Sequence, residues 1–127
     1  EKTTGNIGTF NFLSPEMVTG KPYSFPVDIW ALGISTLRMY RGVVPRHNLK
    51  GKEVLQDIAN NPVPPFGANN YKRDVGMSED LFDFITQCLT VDQSKRPSAD
   101  TLLKHPFLQR ACDQQAFVEF IAQFSDK

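Results

Sequence analysis

Asp28 is the residue whose setting most needs a chemical explanation. It is the one acid in the run Phe25 to Tyr40, FPVDIWALGISTLRMY, and it stands near the head of that run. Two readings are open. A carboxylate in the first turn of a helix can cap it and gain from the helix dipole. Alternatively, Asp28 accepts hydrogen bonds from a separate backbone segment, because a buried carboxylate without partners costs several kcal/mol. Other chemistry-bearing side chains are scattered. Cys88 and Cys112 show no metal-ligand spacing, which fits a reduced intracellular protein.

The element that must position Asp28 is the run itself. Val27, Ile29, Trp30, Ala31, Leu32, Ile34, Leu37 and Met39 cover nearly every direction of a helical wheel. A helix apolar all round sits in the middle of a core. At roughly 1.5 Å per residue it spans about 24 Å, the width of a small domain. The run is too short to cross a bilayer and carries both Asp28 and Arg38. The expectation is a buried central helix from about Pro26 to Arg41, stopped by Gly42, with other helices around it.

The 127 residues fit one domain. Fourteen basic and fourteen acidic residues give no net charge, which removes the composition-level case for nucleic acid or an anionic membrane surface. No secretory or spanning segment is present. The chain begins at Glu1 without a methionine, as expected of a fragment or a processed piece.

Residues 1–13 are polar and rich in Gly, Thr and Asn, and read as a loop. Ser14-Pro15-Glu16-Met17 reads as a short helix start, with Gly20 as its end. A short amphipathic helix is expected at about Lys52 to Asn60, with Val54, Leu55 and Ile58 inward and Asn60-Asn61-Pro62 closing it. Pro62 to Gly76 should be an irregular connection. Ser78-Glu79-Asp80 opens a helix to about Leu89 that carries Leu81, Phe82, Phe84, Ile85 and Cys88 on one face. Ser98 opens another, with Ala99, Leu102 and Leu103 inward, stopped before Pro106. Phe117, Phe120, Ile121 and Phe124 mark an amphipathic tail helix. No strand is expected, so the fold class is mainly α.

Short signals follow one another in a fixed order. Gly8-Thr9 precedes Ser14-Pro15-Glu16 and then Asp28-Ile29-Trp30-Ala31-Leu32-Gly33. Cys88-Leu89, Lys95-Arg96-Pro97-Ser98 and His105-Pro106-Phe107 come later. Together, in this order and at these distances, they resemble the helical C-terminal lobe of a eukaryotic protein kinase, without the N-lobe or catalytic loop. Ser14-Pro15-Glu16 stands where that family closes its activation segment with A-P-E. The stretch GTFNFLSPE looks like the substrate-docking segment of the Ste group of Ser/Thr kinases. The end of the chain, KHPFLQRACDQQAFVEFIAQF, is similar to the end of MAP kinase kinases, so both Sterile-20-like and MAP kinase kinase-like membership stay open.

The resemblance implies a division into residues 1–16, the activation-segment end and docking loop; 17–110, the helical lobe; and 111–127, a tail helix. It implies that Thr9 and Phe10 help receive the peptide and that Thr9 marks a Ser/Thr kinase. Glu16 and Arg96 would form a buried ion pair that pins the activation segment to the lobe. Arginine suits this because its guanidinium grips a carboxylate bidentately. Asp28 would hold the catalytic-loop backbone, and Trp30 would pack beneath the segment that Glu16 ends. Ser35 and Met39 fall where the family supports its adenine-side apolar column. The activating phosphosite would align with Gly5, which leaves Thr3 and Thr4 as candidates under a one-residue shift.

Phosphoryl transfer in this family requires a Gly-rich loop, a strand lysine, an H-R-D loop and a D-F-G aspartate. None occurs in this sequence, and neither His47 nor His105 is followed by Arg-Asp. The expectation is therefore a lobe that is inactive alone, without cofactor or metal, belonging to a cytoplasmic signalling kinase that uses ATP and Mg. Its expected partners are a protein substrate, an upstream activating kinase and the missing N-terminal half of the domain. The alternative is a pseudokinase or scaffold lobe that acts only by binding proteins. Isolated, the lobe is expected to be marginal and aggregation-prone, since Asp28 and Met39 would lack their partners.

Overall fold

The computed structural model of the chain describes residues 10–62 and 76–110. The expected tail helix, most of the Pro62 to Gly76 connection, and Thr3, Thr4 and Thr9 lie outside the described residues. In chain order there are a single 3-10 turn at Phe10–Phe12, then α1 (Pro15–Val18), α2 (Pro26–Arg41), α3 (Lys52–Asn60), α4 (Glu79–Cys88), α5 (Ala99–Leu103) and α6 (Pro106–Gln109). Among the described residues the secondary structure is helical with no strand, so the fold is mainly α.

The helix boundaries follow local chemistry. Pro26 occupies the first position of α2, where its missing N–H costs nothing. Gly42 ends that helix in the left-handed region at φ 88°, and its N–H donates to the Arg38 carbonyl at 2.7 Å. At the start of α4 the Ser78 hydroxyl accepts the Leu81 N–H at 3.1 Å, and Glu79 and Asp80 match the dipole. Ser98 caps α5 in the same way through the Thr101 N–H, but of the three residues expected inward Leu102 is buried while Ala99 and Leu103 are exposed.

Two elements depart from the sequence reading. The stretch read as a loop up to residue 13 holds the Phe10–Phe12 turn, closed by the Leu13 N–H on the Phe10 carbonyl. In addition, a short helix, α6, begins at Pro106. Its cap is His105, whose Nδ1 accepts the Phe107 N–H at 3.0 Å, a residue type that ordinary capping preferences do not pick out.

α4 packs along α2. Trp30, Ile34 and Leu37 of α2 meet Leu81, Ile85 and Leu89 in one cluster, and Phe12 and Val91 close its edge. Ile29, Phe84, Cys88 and Leu102 form a second. The helices approach closely because Gly33 has no side chain. A Cβ there would lie 2.7 Å from Cys88 Cβ and 2.8 Å from Leu89 Cδ2. Gly33→Ala should therefore force the helices apart and cost about 1–3 kcal/mol. A urea titration checks this through a lower midpoint at unchanged slope.

The expectation that α2 is buried all round is corrected. Met39 is 76% exposed and Leu32 41%, with Asp28 also exposed and Ser35 half-buried. Residues 28, 32, 35 and 39 fall on one stripe of a 3.6-residue helix. The wheel shows which sides of α2 are apolar enough to bury, but neighbours must supply the cover. Among the described residues α4 covers the opposite side. Asp28 and Met39 are thus both solvent-facing here, and the partners that the resemblance implies for them are not among the described residues.

Candidate functional site

Glu16 lies in the first turn of α1, which starts at Pro15, and its side chain is buried. Arg96 arrives from the loop between α4 and α5. The structure brings these two residues together across eighty positions of sequence. Arg96 Nη1 donates to Glu16 Oε2 at 2.7 Å, and Nη2 donates to Oε1 at 3.1 Å. Both side chains are buried.

The rest of the guanidinium is also satisfied. Nε donates to the Thr90 carbonyl at 2.8 Å, Nη1 to the Pro26 carbonyl at 2.9 Å, and Nη2 to the Val91 carbonyl at 3.2 Å. All five N–H donors of an arginine are thereby used. The planar group lies over the Trp30 ring, with Cζ 5.1 Å from its centroid, which adds a cation–π contact in a dry setting. One residue thus joins α1, the start of α2 and the α4–α5 loop.

Burial alone would push the Glu16 carboxyl up. The hydrogen bonds and charge of Arg96 outweigh it and hold the group below its ordinary value of 4.5. Asp57 behaves likewise: burial raises it, while hydrogen bonds from Arg46 and Asn61 bring it below 3.8. The sign of the pH effect follows. Between each lowered native value and the ordinary one, the unfolded chain binds more protons, so stability rises with pH. Both contributions are complete above the ordinary values and are lost as pH falls through the native ones. The urea midpoint should therefore drop steadily below about pH 5, and Glu16→Gln should flatten part of that slope. Burial pushes the Cys88 thiol up to about 12, against the pull of Arg96, which leaves it a neutral packing group.

A second polar network was not legible in the sequence. Asn11, in the 3-10 turn, donates through Nδ2 to the carbonyls of Pro45 and Arg46 at 3.0 and 3.1 Å. Arg46 is buried, and its backbone is left-handed at φ 63°, a conformation that costs a non-glycine residue roughly 1–2 kcal/mol. Its Nε donates to Asp57 Oδ2 at 2.5 Å and its Nη2 to the Asn61 carbonyl at 2.6 Å. No periodicity marks an arginine that follows a proline in a loop, so the sequence offered no signal for it.

Of the residues singled out from sequence, Glu16, Arg96 and Trp30 form one buried cluster. Phe10 lies half-buried in the turn that carries Asn11. Asp28 is in the first turn of α2 but exposed. A cleft of about 520 Å³ opens beside the cluster, lined by Glu16, Lys21, Ala59, Val91 and Gln93 among others. Among the described residues no group of three or more His, Cys, Asp or Glu could hold a metal ion. Nor do they include the phosphate-binding motifs of a kinase nucleotide site. What the cluster can do chemically is fix backbone, with charge-assisted hydrogen bonds shielded from water.

Comparison with known proteins gives this arrangement a context. The profile of the protein kinase domain matches residues 1–108. The chain is 36% identical over 115 residues to the probable serine/threonine-protein kinase mkcD of Dictyostelium discoideum, covering 91% of this chain and 17% of that protein. It is 34% identical over 121 residues to serine/threonine-protein kinase pakC of the same organism, covering 95% and 24%. It is 36% identical over 120 residues to serine/threonine-protein kinase shk1/pak1 of Schizosaccharomyces pombe, covering 94% and 18%. The chain thus spans a quarter or less of the length of these curated relatives.

Proposed function

The chain belongs to the protein kinase domain family, and on that premise we propose that it is the helical, peptide-docking lobe of a Ser/Thr kinase of the Ste group. The whole protein would transfer the γ-phosphoryl group of ATP to Ser or Thr hydroxyls of a protein substrate. This lobe would be inactive alone, since its sequence holds no Gly-rich loop, H-R-D loop or D-F-G aspartate. Its work is mechanical: it holds the docking segment, with Thr9 and Phe10, at a fixed place. The observation that carries this reading is the Glu16–Arg96 pair, which ties the Ser14-Pro15-Glu16 element to the Arg96-Pro97 element with every guanidinium donor used.

The exposed stripe of α2 supports the same reading. Leu32 and Met39 with Asp28 make an apolar face headed by a carboxylate. The preceding half of the kinase domain, with its catalytic loop and its ATP and Mg sites, would seat there. Similarity to kinases named pak favours the Sterile-20-like side of the group. An upstream kinase acting on Thr3 or Thr4 belongs to this proposal, as does a cytoplasmic location, which the free thiol of Cys88 fits.

The test is a transfer assay with the whole protein, MgATP and peptides that differ only in Ser, Thr or Tyr as acceptor. Phosphate on Ser and Thr is expected. Transfer to Tyr alone overturns the reading, and no transfer at all favours a pseudokinase lobe that only binds proteins.

A further inference from the structure

Arg46 sits where three parts of the lobe meet, and nothing in the docking role described above assigns it a task. Asn11 is buried and directs both amide hydrogens across 34 and 35 positions onto two successive carbonyls, those of Pro45 and Arg46. Two bonds from one planar amide fix both the distance and the orientation of the turn that carries Phe10. Those carbonyls are useful anchors only if the loop holding them is itself fixed. Arg46 fixes it, because its side chain reaches the far end of α3 through Asp57 and the Asn61 carbonyl. Asn61 Nδ2 also donates to Asp57 Oδ1 at 3.0 Å, which holds that carboxylate for the guanidinium. A left-handed arginine persists only where its surroundings over-determine it, and these bonds do so.

We propose that Arg46 is a positioning residue for substrate, locking the Phe10–Phe12 turn to the end of α3 through Asn11. The inference rests on the reading of that turn as part of the peptide-docking segment. It adds that the grip on peptide depends on a buried arginine remote from the peptide itself.

The experiment uses the whole kinase with MgATP and a Ser/Thr peptide. Asn11→Ala and Arg46→Gly should each raise the peptide KM about five- to tenfold, with kcat and the KM for ATP within about twofold. Glycine is chosen because it accepts the left-handed backbone and so removes only the side chain. The double variant should be no worse than the worse single one, since both act through one network. Amide hydrogen exchange gives a second readout. Asn11→Ala should speed exchange at residues 46–49, and Arg46→Gly at residues 10–13, with α4 unchanged. Asp57→Asn, at a partly exposed site, is the milder variant should Arg46→Gly not fold.

Unchanged peptide KM with unchanged exchange overturns the proposal. So does a loss of protection spread over the whole lobe with kcat falling in step, because that marks a purely structural role. A wild-type protein with no Ser/Thr transfer overturns the functional reading instead, and the exchange data then decide the coupling alone.

Discussion

Arg96→Ala is expected to lower the stability of the lobe by about 3–5 kcal/mol, the cost of breaking a buried pair by removing one partner. The loss has three physical sources. Glu16 is left as an uncompensated buried carboxylate. Three carbonyls, of Pro26, Thr90 and Val91, lose their donor. Trp30 loses the cation over its ring. Domains are stable by only about 5–15 kcal/mol, so this is a large fraction of the total. Arg96→Lys should recover little, since an ammonium cannot grip both oxygens of Glu16 while reaching three carbonyls. Chemical unfolding of the whole kinase carrying each variant, against the wild type, measures both. An Arg96→Ala midpoint equal to the wild type contradicts the account.

Trp30→Ala carries the second large effect, again about 3–5 kcal/mol. Trp30 is fully buried in the α2–α4 cluster, and its removal leaves a cavity beneath Arg96. Among the described residues its indole N–H has no hydrogen-bond partner. Trp30→Phe therefore sacrifices volume and the better cation–π surface but no hydrogen bond, and it should cost clearly less than Trp30→Ala. Equal losses for Phe and Ala would show that the packing explanation is wrong.

The contrast between what the sequence disclosed and what it concealed is physical. α2 and α3 were legible because Pro26, Gly42 and the Asn60-Asn61-Pro62 stop are local backbone signals. α4 was legible through the Ser78 cap and the apolar face behind it. Their caps and periodicities operate within a few residues. α6 was missed because histidine is not an ordinary cap, and the 3-10 turn because three residues carry no period. The exposure of Leu32 and Met39 could not be read, since a wheel reports polarity and not neighbours. The Glu16–Arg96 meeting came only from the order of motifs. The Asn11–Arg46–Asp57 network had no such guide. Its bonds run between loops, its arginine adopts a backbone favouring glycine, and its burial is a property of the assembled lobe.

The account turns on one buried ion pair that holds the docking segment onto the helical lobe. A double-mutant cycle over Glu16→Ala and Arg96→Ala, read by chemical unfolding, addresses it directly. Strong coupling is predicted, on the order of 2–3 kcal/mol, with the double variant no less stable than Arg96→Ala alone. Two single losses that simply add in the double variant would contradict it.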